Sequence, residues 1–270
     1  MKDGSSRYSL RVRTLFISDV HLGHRGSQAA YLLDFLRAVR SDTIYLVGDI
    51  VDLWSLKRSF YWPQAHHDVL RILLDRARNG TRVVYVPGNH DETFRDLCGS
   101  WFGHFEVVSE AEHVTAEGRR LLVLHGDRFD ADIRLSPFTA WLGSGCYELF
   151  IAVGRRVHAL RRRFGFPYWS LADWIKHQLT RARIHINRFE ETVARHAALQ
   201  GYDGVVCGHI HRAALRDIGG VLYCNDGDWV ESCTALVEDH NGRLAVLRWT
   251  ERSEVVGHLA PSLAALDFAA

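Results

Sequence analysis

The sequence predicts an α/β layered fold, and three observations carry that expectation. Short apolar runs of strand character alternate with stretches of helical period between Thr14 and Cys207. Each cluster of Asp, Asn and His follows directly on the C-terminal end of one of those runs. The stretch Gly219 to Trp249 is β-rich, with turn residues such as Asn241-Gly242 between its runs. Open α/β sheets bind ligands at the carboxyl edge of their strands, so five polar clusters brought to one edge would form one site.

The elements follow in order. Thr14–Ser18 is an apolar run that gives way to the polar loop Asp19–Gly26. Gln28 to Val39 carries Leu32, Leu33, Leu36 and Val39 at helical spacing. Thr43–Val47 reads as a buried strand ending at Gly48-Asp49, and Val69 to Ala77 as an amphipathic helix closed by Asn79-Gly80. Arg82–Val86 is a third strand, ending at Pro87-Gly88-Asn89-His90-Asp91. Leu121–Leu124 and Gly204–Cys207 are two more, ending at His125-Gly126-Asp127 and Gly208-His209-Ile210-His211. Val221–Cys224, Thr234–Val237 and Leu244–Trp249 are the strands of the tail, and Thr250–Ala270 is expected to be a mobile end.

Between Asp132 and His196 no strand signal appears. Helices are expected at Cys146–Arg163, Leu171–Arg183 and Ile186–Leu199, interleaved with aromatic and basic residues. Residues 133–200 are therefore read as a helical insertion, or lid, within a single domain spanning 1–270.

Composition narrows the function. A chain of 270 residues with 47% apolar and 24% charged residues is ordinary for one globular enzyme domain. A net charge of +1 supplies no global field for nucleic acid, and none is expected as a partner. Five scattered cysteines with no CxxC pair suit a reducing compartment. The basic start Met1 to Arg13 has no apolar core, so no secretory signal is expected, and the predicted location is cytoplasmic.

The chemistry sits in Asp19-x-His21, Gly48-Asp49-x-x-Asp52, Gly88-Asn89-His90-Asp91, His125-Gly126-Asp127 and Gly208-His209-x-His211. Carboxylate, amide and imidazole together make a ligand set for Mn²⁺, Fe, Zn²⁺ or Co²⁺. D-x-H and H-x-H spacings put both side chains on one side of an extended segment. The glycines beside the ligands permit the turns that swing them off the strand ends. A binuclear centre follows: Asp49 bridges two divalent ions, Asp19, His21 and His211 complete one, and Asn89, His125 and His209 the other. Such a centre activates a water for attack on phosphorus. His90 is the expected proton donor to the leaving oxygen, Asp91 the expected holder of the His90 ring, and Asp127 a supporting residue. A lone D-x-H is weak, and a buried core histidine explains most of them; five clusters, each at a strand end, are not explained that way.

These motifs resemble those of the calcineurin-like metallophosphoesterase superfamily, from about Thr14 to His211. The resemblance implies a four-layer α/β/β/α sandwich with two facing mixed sheets. Within it, Ser18-Asp19-Val20-His21-Leu22-Gly23, Val47 to Trp54 and Asn225-Asp226-Gly227-Asp228-Trp229 resemble the UDP-2,3-diacylglucosamine pyrophosphohydrolases of lipid A synthesis. That resemblance implies hydrolysis of a UDP-linked diacyl sugar at its pyrophosphate, releasing UMP and a lipid phosphate. Mn²⁺ is the expected metal. His90 stands where those enzymes commonly carry Arg, as in general phosphodiesterases. A general phosphodiesterase or phosphatase acting on another nucleotide or lipid phosphate is the alternative, and an inactive binding paralogue is a third reading.

The basic insertion, with Arg161-Arg162-Arg163, is expected to meet a lipid-bearing substrate or an anionic membrane surface; the plain alternative is a solvated helix face. His24 is a further candidate for substrate contact, Trp54 is read as pocket wall or core, and His66-His67 as surface residues.

Overall fold

The computed structural model describes residues 10–132, 180–250 and 253–258. Strand β1 (Leu10–Ile17) opens the described chain. Successive side chains of a strand take opposite faces; Leu15 and Ile17 join one core and Phe16 another. Helix α1 (Ala29–Ala38) buries Leu32, Leu33, Phe35 and Leu36 and ends where Val39 turns extended. Strand β2 (Val39–Leu46) starts at that residue, earlier than its apolar run suggests. Arg40 and Ser41 pair with Arg11 and Val12 of β1, and such a ladder uses backbone groups whatever the side chains are.

Asp52 caps the short helix α2 (Leu53–Arg58), its side chain accepting a hydrogen bond from the Ser55 N–H. Helix α3 (Gln64–Arg78) begins after Pro63, upstream of the predicted start, and buries His66, Val69, Leu73 and Ala77 along one face. Strand β3 (Arg82–Tyr85) leads to a 3₁₀ segment, Glu92–Leu97. Then come β4 (Trp101–Phe102), β5 (Phe105–Val107), β6 (Ala111–Val114) and β7 (Arg120–Val123). A second 3₁₀ segment, Asp127–Asp132, follows β7. Helix α4 (Thr180–Leu199) runs unbroken through Arg183–Ile186, where two separate helices were expected. Strand β8 (Gly204–Cys207) is followed by β9 (Ala214–Ile218), which the sequence did not predict, and by β10 (Val221–Asn225), β11 (Thr234–Glu238) and β12 (Leu244–Trp249), the strands of the predicted tail. The expected mobile end instead contains β13 (Ser253–His258), paired with β12.

The strands form two sheets. One has the order β13-β12-β11-β1-β2-β3-β5-β4, the other β6-β7-β8-β10-β9. Three cores fix the layering. Leu15, Ile44, Val83 and Leu247 pack under α1 and α3 on the outer face of the larger sheet. Phe16, Tyr45, Val84 and Leu236 of that sheet meet Val123, Val206, Leu222 and Cys224 of the smaller one. Leu122, Val205 and Tyr223 pack against Phe189 and Val193 of α4 on the far side. The result is the α/β/β/α sandwich, each strand feeding alternate residues to the two sides of its sheet. A fully buried aliphatic or aromatic side chain of this kind contributes about 1.5–3 kcal/mol.

One polar tie crosses the inner core. The Glu238 carboxylate on β11 accepts hydrogen bonds from Arg13 (2.7 Å), Thr14 Oγ1 (2.8 Å) and the Ala116 N–H (2.7 Å). It also lies 2.8 Å from His113 Nε2 on β6, so it joins the two sheets. No helix among the described residues is long and apolar enough to cross a membrane. The expected helices over 146–179, with Arg161, Arg162 and Arg163, lie outside the described residues.

Candidate metal centre

The carboxyl ends of β1, β2, β3, β7 and β8 meet at one edge of the sandwich, and the predicted clusters leave those ends together. The backbone there is unusual. Among the described residues, non-glycine positive φ occurs at Asp19 (49°), His21 (51°), Asp49 (53°), His209 (72°), His211 (51°) and Cys233 (52°). All but Cys233 are candidate ligands. L-residues seldom adopt the left-handed region, and such conformations concentrate at functional sites where the surroundings hold them.

The loops after β1 and β2 do the holding. Asp19 N–H donates to Gly48 O (3.0 Å), His21 N–H to Asp49 O (2.9 Å) and Leu22 N–H to Ile50 O (2.9 Å). These bonds continue the parallel pairing of β1 and β2 beyond the strands themselves. Glycine supplies the space: a Cβ on Gly88 would stand 2.3 Å from Asp49 Oδ1, and one on Gly208 2.4 Å from Asp19 Oδ2. No substituent fits at either point.

The side chains converge. Ligand atoms lie within 4.8 Å of one another in Asp19, His21 and His211, in His21, Asp49 and His90, and in Asp49, His125 and His209. Asp49 and His21 each belong to two groups, and of the two Asp49, whose Oδ2 lies 3.8 Å from His21 Nε2 and 3.4 Å from His125 Nε2, has the two oxygens that bridging needs. His125 Nδ1 lies 2.8 Å from Val47 O, so its N–H donates there and Nε2 is turned to Asp49 Oδ2, 3.4 Å away. Asp19 Oδ2 accepts from the His209 N–H (2.9 Å), which leaves Oδ1 facing His211 Nε2 at 3.1 Å. Asp19 Oδ1, Asn89 Oδ1 and His125 Nε2 are buried without a hydrogen-bond partner. Native interiors rarely leave such atoms unpaired. Their donor chemistry and convergence fit a divalent cation.

The field of the site agrees. Burial alone would lower the basicity of His125, but the Asp49 and Asp19 carboxylates push its pKa up to about 10. Burial would raise the Asp19 carboxyl, yet His211 and His21 hold it well below the usual carboxylate range. Carboxylates packed this closely draw in cations, whether protons or metal ions.

His90 sits at the mouth, its ring centroid 4.6 Å from that of His21 and 4.2 Å from that of Trp54. Trp54 is thus a wall of the site. The residue that faces His90 is not Asp91. The Asp91 carboxylate is turned inward, accepting from the N–H groups of Gly88 (2.6 Å) and Ile50 (2.8 Å) and from Tyr85 Oη (2.5 Å). It braces the loops that carry Asp49 and Asn89. The expected role falls to Asp52, whose Oδ1 lies 3.1 Å from His90 Nδ1 and Oδ2 3.4 Å from His21 Nδ1. Burial opposes ionisation of Asp52, but His21 and His90 hold it well below the usual range. The D-x-x-D spacing was the available signal: it puts Asp52 at the start of α2, beside the loop of Asp49.

The other candidates fall as follows. His24 lies on the Asp19–His21 loop with its Nδ1 accepting from the Gly26 N–H (3.0 Å), and it joins none of the three groups. Asp127 pairs with Arg95 at 2.7 Å, linking the two 3₁₀ segments beside the site. His66 is buried rather than a surface residue; its Nδ1 accepts from the Gly23 N–H (3.0 Å), which ties the ligand loop to α3. Two residues given no role by the sequence stand behind Asp19. Ser18 Oγ contacts Asp19 and Asp226, and burial holds the Asp226 carboxyl well above the usual range.

The family profile described as calcineurin-like phosphoesterase matches residues 12–213. The chain is 26% identical over 225 residues to a UDP-2,3-diacylglucosamine hydrolase of Edwardsiella ictaluri (strain 93-146), covering 75% of this chain and 77% of the relative. It is 27% identical over 257 residues to the protein of that name from Xanthomonas campestris pv. campestris, covering 85% and 96%. Among solved structures, Vps29 of Entamoeba histolytica aligns with a TM-score of 0.44 and 16% identity, over 90% of this chain and 97% of that one. The phosphoesterase YfcE of E. coli aligns with a TM-score of 0.45 and 16% identity, over 90% and 99%.

Proposed function

This chain belongs to the calcineurin-like phosphoesterase family, and from that premise we propose that it is a two-metal hydrolase cleaving the pyrophosphate of a lipid-linked nucleotide sugar of the UDP-diacylglucosamine kind. The observation that carries the two-metal part is the Asp49 carboxylate, whose Oδ2 lies 3.8 Å from His21 Nε2 and 3.4 Å from His125 Nε2, so that it faces a residue of each ligand set. The relatives' names support the substrate class.

In this reading Asp49 would hold both cations, with Asp19, His21 and His211 completing the set for one and Asn89, His125 and His209 that for the other. Bound Mn²⁺ would supply a water of lowered pKa and neutralise charge gathering on the phosphoryl oxygens. The chain's own residues do the rest. In its doubly protonated form His90 directs Nδ1–H at Asp52 Oδ1, 3.1 Å away, and gives its Nε2 proton to the departing oxygen, leaving the neutral ring. Trp54 and His21 confine the His90 ring on two sides. Asp91 fixes the loop backbone from behind. A single domain over 1–270, a helical insertion over 133–200 whose last part, α4, packs on the smaller sheet as a layer of the sandwich rather than as a lid, a cytoplasmic location, and contact of His24, Arg161, Arg162 and Arg163 with substrate or an anionic membrane complete the reading. Salt-sensitive binding to anionic vesicles tests the last point.

The test is turnover by purified protein with Mn²⁺ of UDP-2,3-diacylglucosamine and of bis-p-nitrophenyl phosphate. Release of UMP supports the reading, provided Asp49→Ala loses metal and activity together and His90→Ala keeps metal while losing about 10²–10⁴-fold in rate. His90 at the position after Asn89 favours a second reading, a general phosphodiesterase, for which only the small diester turns over. Full activity in Asp49→Ala defeats both.

A further inference from the structure

The hydrogen bonds behind Asp19 cannot all be made with two ionised carboxylates. Ser18 Oγ lies 2.5 Å from Asp19 Oδ2, 2.7 Å from Asp226 Oδ1 and 3.2 Å from Gly227 O. A serine hydroxyl has one hydrogen to give, while ionised carboxylates and carbonyls only accept. With both aspartates charged, one of the two short contacts would set lone pair against lone pair. One neighbour must therefore donate to Ser18. Asp19 is the wrong one, because its Oδ2 already accepts from the His209 N–H at 2.9 Å and its Oδ1 faces His211.

We propose that Asp226 is a neutral carboxylic acid that donates to Ser18 Oγ, and that Ser18 in turn donates to Asp19 Oδ2, a relay that sets the rotation of the ligand carboxylate. This rests on the reading of Asp19 as a metal ligand. The chain fixes the relay at both ends. Asp226 is fully buried, and burial favours the uncharged form. Its N–H donates to Cys207 O (3.2 Å), beside the Gly208 turn. Asn225 Nδ2 donates to Gly208 O (2.8 Å), and the Asp228 carboxylate accepts from the Val230 N–H (2.8 Å), so the loop after β10 is held on both sides. The Gly208 turn leaves no room for drift, since a Cβ there would stand 2.3 Å from Ser18 Oγ. With Oδ2 taken by two donors, only Oδ1 is left for a cation. Ser18 and Asp226 are positioning residues in this account. They touch no substrate.

Calorimetric Mn²⁺ binding to the full chain tests it, with Asp19→Ala, Ser18→Ala, Asp226→Asn and Asp226→Ala, each checked for folding by circular dichroism. Asparagine keeps the shape, the neutrality and an N–H donor. Asp226→Asn should bind within about threefold of wild type, whereas Ser18→Ala and Asp226→Ala should lose about 10–100-fold. Infrared spectra should show a carboxylic acid C=O stretch in wild type that Asp226→Asn lacks. If Asp226→Asn weakens binding as much as Asp226→Ala, if Ser18→Ala binds normally, or if the acid stretch is absent, the relay is wrong while the metal reading stands. Normal Mn²⁺ binding by Asp19→Ala overturns that reading and the relay with it. Should Asp226→Ala not fold, Ser18→Ala and Asp226→Asn decide the matter alone.

Discussion

Replacing Asp52 with alanine should slow catalysis by a calculable amount. The buried carboxylate lies 3.1 Å from His90 Nδ1 and is held ionised by His21 and His90. Here the contact is an ion pair in which Nδ1 makes no aligned hydrogen bond; once aligned in the reacting complex, a hydrogen bond to a charged group contributes about 1.5–3 kcal/mol. In Asp52→Ala the His90 ring would keep only the packing of Trp54 and His21. If that loss is expressed in the transition state, kcat falls about ten- to 150-fold, at 1.36 kcal/mol per decade. Asp52 Oδ2 also lies 3.4 Å from the ligand His21, so metal affinity should fall as well. Steady-state kinetics must therefore be run at Mn²⁺ concentrations shown to saturate each variant. A series of diesters with increasingly poor leaving groups gives the sharper readout. A p-nitrophenolate needs little help from an acid and an alkoxide needs much, so the loss should grow along the series. Asp52→Ala/His90→Ala should be no slower than His90→Ala, because the two act as one unit. A kcat within about twofold of wild type at saturating metal, or a loss independent of the leaving group, would refute the Asp52–His90 assignment.

Three further outcomes are expected. Glu238→Gln should destabilise the fold by about 1.5–3 kcal/mol in urea melts, because its donors on both sheets lose a charged acceptor. Burial alone would raise the Glu238 carboxyl, but His113 and the Ala116 N–H hold it below the usual range. Its contribution is therefore present above the unfolded glutamate pKa of about 4.3 and is lost as pH falls through the folded value; Glu238→Gln should flatten that acid limb of the stability profile. Gly208→Ala should cost about 1–3 kcal/mol of stability and weaken Mn²⁺ binding, since the new Cβ meets Ser18 Oγ and Asp19 Oδ2; an alanine protein with normal melting and binding would contradict the packing described. Metal affinity should rise with pH up to about pH 10, because His125, raised to about 10, must surrender its proton to ligate; calorimetry in buffers of different ionisation enthalpy should detect that proton.

The sequence alone determined the strands that lead into the polar clusters and β10, β11 and β12, but not β4, β5, β6 or β9; it also determined the order of the polar clusters and the chemistry they offer. Strand runs such as Leu121–Leu124 are legible because alternate residues must satisfy two apolar faces, and the D-x-H and H-x-H spacings are legible because period two is local. β13 was not legible, since Ser253–His258 becomes a strand only by pairing with β12. Nor was the extension of β2 through Arg40 and Ser41, which the β1 backbone induces. The same division holds at the site. Asp91 looked like the partner of His90 by adjacency, but neighbouring residues in a turn point different ways, and the backbone N–H groups of Gly88 and Ile50 claimed its carboxylate. The tertiary structure gave that position to Asp52, and brought Ser18 and Asp226 together from 208 residues apart. Hydrogen bonds depend on direction over about three ångströms, and no pattern along the chain encodes the direction of a side chain that another loop constrains.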